Sequence, residues 1–175
     1  MNLAQFFKET PAEELKVLVE FVKPSNMFGG IEVPEVEQWR FCDVMEFRNM
    51  ELIDAVFGII GKHTAMMGEE ILQEPANEFM SFLKFVDMQF KKAVAYLDML
   101  KTEPDADKIA AGIEELDKFG EYNIYRSIDP NPLNWDAISE ITFDKMFTKL
   151  LMEKDYAQVQ KNLDKIMHDR MKSKV

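Results

Sequence analysis

Residues 76–101, ANEFMSFLKFVDMQFKKAVAYLDMLK, set Phe79, Phe82, Leu83, Val86, Phe90, Val94, Leu97 and Leu100 at three- and four-residue intervals. That is the period of an α-helix with one apolar side. Pro75 stands just before the stretch, where its missing N–H costs a helix nothing. At 1.5 Å per residue the segment predicts a rod of roughly 38 Å, long enough to organise a domain. Lys84, Asp87, Lys91 and Asp98 mark the wet side, but Phe85, Met88, Tyr96 and Met99 fall off the main stripe and widen the apolar arc. A wide arc has two readings: a central helix surrounded by neighbours, or a helix with a second face given to assembly.

Outward from the rod, prolines and glycines divide the chain into further helical blocks, and no segment sustains a two-residue period. Leu15, Leu18, Val19 and Val22 share one face of a helix that Thr10 and Pro11 start and Pro24 stops. Residues 25–37, with Gly29, Gly30 and Pro34, read as a loop or arm with a short extended piece at Ile31 to Val33. A helix from Met50 to Ile60 is expected to end at Gly61. After the rod, Ile109, Ile113 and Leu116 mark an amphipathic helix closed by Gly120, and residues 121–133 read as a loop. Asn134 is the expected cap of a short helix bearing Trp135 and Ile138. Thr142 starts the next helix, and Asp155 starts a last one with Tyr156, Val159, Leu163 and Ile166. The expected fold class is all-α: one domain over residues 1–175, an irregular bundle of about six to eight helices around the rod at about 76–101, with the loop or arm at 25–37.

Composition agrees with a folded chain. Hydrophobic residues make up 47% and charged residues 30%, so enough apolar surface exists to offset chain entropy. The 14 Phe and 13 Met stand out, because methionine fills irregular cores and also suits surfaces that repack against a partner. One cysteine, Cys42, excludes an internal disulfide, and the N-terminus lacks the basic-then-apolar layout of a signal peptide. The most apolar stretches, 55–60 and 79–90, are too short or carry Lys84 and Asp87, so no membrane span is expected and the chain is placed in the cytoplasm. Net charge is −11, yet residues 161–175 hold Lys161, Lys165, Arg170, Lys172 and Lys174 against Asp164 and Asp169. The acidic remainder repels phosphate backbones, so protein partners are expected and direct nucleic-acid binding is not. The basic end is either a helix terminus favoured by the macrodipole or a contact for an acidic neighbour.

Motifs that carry chemistry are weak. Gly58 to Thr64 has two residues between its glycines where a phosphate loop needs four, and His63 follows Lys62 where Ser or Thr belongs. Asp129, Asn131 and Glu140 fall at positions 1, 3 and 12 of a calcium loop, but Asn134 stands in place of the glycine its turn requires and Pro132 stiffens it. His63 and His168 are far apart and in no metal-binding spacing. Cys42, between Phe41 and Val44, reads as an inert core thiol, and Glu13-Glu14, Glu69-Glu70 and Glu114-Glu115 as capping and solvation. No cofactor, metal ligand or catalytic residue is assigned.

Asn134 to Ile141, followed by Phe143, Met146, Phe147, Lys149, Leu150 and Glu153 to Asp155, resembles a pattern near the C-terminus of small helical tailed-phage proteins. The Trp39 to Ile60 block is similar to their tail-assembly-chaperone-like and virion structural proteins. The resemblance covers about half the chain, and Gly29-Gly30 and the basic C-terminus lie outside it. It implies a role in virion structure or morphogenesis, in the host cytoplasm and the virion, and assigns no functional residues.

The expected function is therefore a non-enzymatic component that works by protein–protein contact in a larger assembly, with itself or other subunits as partners. Met27 and Phe28 are the candidate contacts on an exposed arm, the alternative being that they tuck onto the core. Phe85, Met88 and Met99 are the candidate second face. A competing function is an acidic inhibitory module that occupies a basic groove on a partner protein.

Overall fold

In the computed structural model, which describes residues 1–102, 109–120 and 122–172 and only the backbone of residues 12, 13, 16 and 117, two short helices come first. Helices α1 (Leu3–Glu9) and α2 (Ala12–Phe21) precede an antiparallel hairpin of β1 (Met27–Phe28) and β2 (Ile31–Glu32). A 3-10 turn at Val36–Gln38 leads to α3 (Phe41–Phe47), α4 (Leu52–Thr64), α5 (Glu69–Gln73) and α6 (Ala76–Leu100). A 3-10 segment at Ile113–Phe119 follows, then α7 (Tyr122–Ile128), a 3-10 turn at Pro132–Asn134, α8 (Trp135–Ser139) and α9 (Phe143–Lys172). The chain is an all-α, irregular bundle, and α6 is the expected rod within one residue at its C-terminal end. The start of the helix expected after Thr102 lies partly outside the described residues, as does Lys174.

Helix α6 is central because its apolar side is wanted by almost everything else. Phe79, Phe82, Leu83, Val86 and Ala93 are buried. The ring of Phe79 lies 5.6 Å from Phe7 of α1, 5.6 Å from Phe57 of α4 and 6.2 Å from Phe28 of the hairpin. Such ring pairs add about 0.5–1.5 kcal/mol each beyond the burial itself. The N-terminus is pinned to the start of the rod by main-chain bonds, Leu3 N–H to Glu74 and Ala76 N–H to Met1. A second backbone clasp joins the starts of α3 and α9: Phe41 N–H donates to Ile141 at 2.8 Å and Phe143 N–H to Trp39 at 2.7 Å. The Phe41 and Phe143 rings stack beside it, 6.1 Å apart and 15° from parallel.

The arm expected at 25–37 is a folded hairpin. Gly29 and Gly30, at φ 56° and 74°, form the two-residue turn, for which positive φ at both positions matches the strand twist. Gly29 N–H donates to Glu78 Oε1 at 2.8 Å, and a Cβ there would sit 2.5 Å from Met66 Sδ. Phe28, Val33 and Val36 are fully buried, and Gln89 Oε1 of α6 accepts from Val36 N–H. The glycines thus fold the segment back onto α6.

Five other local features also differ from expectation. Helix α4 runs through Gly61, since a helix tolerates one glycine at about 1 kcal/mol, and stops where Ala65 turns left-handed and Thr64 Oγ1 donates to the Ile60 carbonyl. Residues 122–128 are helical rather than loop, with Tyr125 buried against Tyr122 and Trp135. Asn131, not Asn134, is the side-chain cap near α8; Asn134 Nδ2 donates instead to Asp129. Asp155 interrupts nothing: α9 is one helix of 30 residues. The face of Ile109, Ile113 and Leu116 is exposed, and Gly112 at φ 81° breaks the expected helix there.

Two glycines of α4 should respond oppositely to alanine. At Gly58 a Cβ would lie 2.5 Å from the buried Phe47 ring, whereas at Gly61 the nearest atom is 3.8 Å away. Denaturant unfolding should show Gly58→Ala destabilised by about 1–3 kcal/mol through overpacking and Gly61→Ala stabilised by up to about 1 kcal/mol through helix propensity.

Candidate functional site

The densest group of ionisable side chains surrounds Asp43 on α3. Its carboxylate receives two bonds from Arg40, Nε at 2.7 Å and Nη2 at 2.8 Å, and Lys62 Nζ of α4 stands 3.2 Å away. Arg40 also reaches Glu140 at 2.7 Å, so the cluster ties α3, α4 and the end of α8 together. Burial pushes the Asp43 carboxyl up, but the Arg40 and Lys62 bonds outweigh it and hold the group below its ordinary range. Burial lowers the neighbouring His63, whose ring packs 6.0 Å from Trp39, and keeps it neutral at pH 7.

Cys42 Sγ lies 3.8 Å from Asp43 Oδ1, and burial first and that carboxylate second push its thiol up. It remains protonated near neutrality, which is the wrong form for a nucleophile. An open depression of about 570 Å³ beside it is lined by Met45, Glu46, Asn49, Phe119 and Tyr122. A narrower apolar groove of about 420 Å³ lies between Leu15, Val19, Leu52, Ile53 and Leu83.

The other sequence motifs are absorbed by local structure. Gly58 and Gly61 stand inside α4, where their N–H groups belong to the helix ladder rather than to a phosphate cradle. Asp129 Oδ1 accepts from Asn131 N–H and Oδ2 from Asn134 Nδ2, while Asn131 Oδ1 accepts from Leu133 N–H. The oxygens a calcium loop would present are closing a turn. Among the described residues no group of three or more His, Cys, Asp or Glu could hold a metal ion.

The candidate contact residues separate into two groups. Phe28 is fully buried between Phe79 and Phe82, so it is a core residue and not an arm contact; Met27, its neighbour on the strand, points outward because side chains alternate. Phe85 is also buried, its ring 5.9 Å from Phe82. Met88 and Met99 are about half exposed. Eleven residues apart, they lie within about 20° of one another around α6. The proposed second face therefore shrinks to these two methionines.

A long exposed apolar row stands on α9. Its first turns pack on the body: Phe143 and Met146 are buried, and Tyr96 of α6 lies 6.1 Å from Phe143 and 5.0 Å from Phe147. The last anchor is Lys154, whose Nζ donates to the carbonyls of Met99 and Lys101 at the unsatisfied end of α6. Every residue from 155 to 172 is exposed, over a length of roughly 27 Å. Met152, Tyr156, Val159, Leu163 and Ile166 follow one another at intervals of four, three, four and three, each 48–66% exposed. The sequence places four of these on one last helix without saying what covers them. The intervals alone do not mark the difference, since the buried stripe of α6 repeats in the same way, but they are those of a helix–helix seam.

No protein-family model, curated protein or solved structure matches the chain. Among the described residues, no helix is long and apolar enough to cross a membrane.

The Asp43 cluster makes stability pH-dependent with a definite sign. Its folded carboxyl ionises below the ~3.9 of an unfolded chain, so on acidification the unfolded state takes the proton first. The stabilisation is whole above pH about 4 and is lost as pH falls through the depressed folded value. Asp43→Asn should cost about 2–3 kcal/mol at pH 7, and denaturant midpoints measured below pH about 4 should show the gap from the unaltered protein closing.

Proposed function

We propose that this chain is a non-enzymatic protein–protein interaction component of a larger assembly, and that the free length of α9 is its docking element. The observation that carries the reading is the apolar stripe of Met152, Tyr156, Val159, Leu163 and Ile166 standing clear of the body. Scattered exposed apolar residues are ordinary, but a periodic row on a projecting helix is the form in which helical partners are read. The ionisable cluster around Asp43 supports the same view, since each of its charges is spent on joining helices.

The narrower form of the proposal is a phage virion or tail-assembly component, which rests on the resemblance carried by Trp39 to Ile60 and Asn134 to Asp155. The competing reading, an acidic inhibitor of a basic groove, requires a concentrated acidic face.

Docking and folding should separate. Val159→Glu combined with Leu163→Glu alters only exposed positions, so thermal unfolding of the body should shift by no more than about 0.5 kcal/mol per site. A photo-crosslinking residue at Leu163 should yield a discrete protein adduct in the producing cell, and one at the outward Lys161 should not. Equal yields from both positions, or none from either, would sink the proposal.

A further inference from the structure

We infer that the occupant of the α9 stripe is the α9 stripe of a second copy of this chain, laid antiparallel across a two-fold axis at residue 161. The inference rests on the docking reading above and names its partner. Written as a heptad, the exposed length of α9 has Tyr156, Leu163 and Arg170 at a, and Met152, Val159 and Ile166 at d. A seam of this period is filled by another helix, because only a helix presents holes at the same spacing.

Self-complementarity selects the second copy and its direction. In antiparallel pairs a positions face d positions, so one register sets Val159 against Leu163, Tyr156 against Ile166 and Met152 against Arg170, each twice by symmetry. All the apolar seam residues are then covered, and Arg170 falls beside Glu153 and Asp155 at the flanking positions of the other copy. Asp169 lies near Asp155 in this register, and Arg170 stands between them to offset the like charges. At the axis Gln160 faces Gln160 and Asn162 faces Asn162, amides that can donate and accept reciprocally. The parallel alternative stacks Arg170 on Arg170 and brings two strongly acidic bodies side by side.

Length and charge agree. The overlap from 152 to 170 uses the free part of α9 and brings the basic tip, with Arg170 and Lys172, to the foot of the partner helix. The tip carries net positive charge and the rest of the chain net negative charge, so each copy's tip is drawn toward the other copy's body. The five seam side chains, each 48–66% exposed, make a short contact of two heptads, which belongs with the small, reversible interfaces. A reversible dimer follows.

Sedimentation equilibrium of the full chain should show a concentration-dependent monomer–dimer equilibrium. Val159→Asp with Leu163→Asp should raise the dissociation constant on the order of 100-fold or more by placing carboxylates in the seam. Direction is read by oxidative crosslinking in a Cys42→Ser background. Tyr156→Cys chains mixed with Ile166→Cys chains should give the mixed disulfide dimer, while each alone should give almost none. Self-crosslinking of each variant alone would mean parallel pairing and overturn the inference, as would a chain that stays monomeric at every concentration. The two proposals fail differently: a monomer whose Leu163 photo-adduct contains another protein ends the second-copy inference alone, and a Leu163 position that forms no adduct ends both.

Discussion

The structure depends on one ring. Phe79, at the start of α6, is the point where α1, α4 and the hairpin meet, through edge and tilted contacts with Phe7, Phe57 and Phe28. None of these three elements could be independently stable: α1 is seven residues long, the strands are two residues each, and α4 carries two glycines. Each gains its stability by contributing a ring to the same cluster. The Arg40–Thr142 clasp does the corresponding work at the other side, setting where α9 begins and hence the direction in which its far end leaves the body.

These two anchor points explain which parts were legible in the sequence. The rod was legible because eight apolar residues repeat over some 25 positions, and no local signal contradicts them. The hairpin was not, because Gly29 and Gly30 announce a turn without saying where it folds. Its placement is decided by Glu78 and Gln89, polar residues on α6 that accept main-chain bonds and whose role no pattern displays. Gly61 misleads for a related reason. A glycine is a permitted helix end, but the end falls where partners satisfy the terminal polar groups, and three residues on the Thr64 hydroxyl donates to the Ile60 carbonyl and accepts from Met66 N–H.

The candidate site was half legible. Met27, Met88 and Met99 are exposed as expected, whereas Phe28 and Phe85 are held by other aromatic rings. An apolar face read from sequence is a face that needs covering, and the sequence does not say whether this chain covers it. On α6 the covering comes from within. On α9 it stops at Lys154, because no further element reaches that far along the helix among the described residues. The same periodicity thus has two meanings, set by how much chain is available to pack on it.

The free end of α9 also carries a thermodynamic consequence. The last eighteen described residues of α9 are exposed and continue a helix that its packed first turns nucleate, so they are held mainly by propagation, in which each added residue returns little. The segment therefore exchanges between helix and coil, and whatever covers its stripe must supply the free energy of winding as well as of contact. Association through such a segment would be weak for its area and readily reversed, tightening only as the concentration of its partner rises.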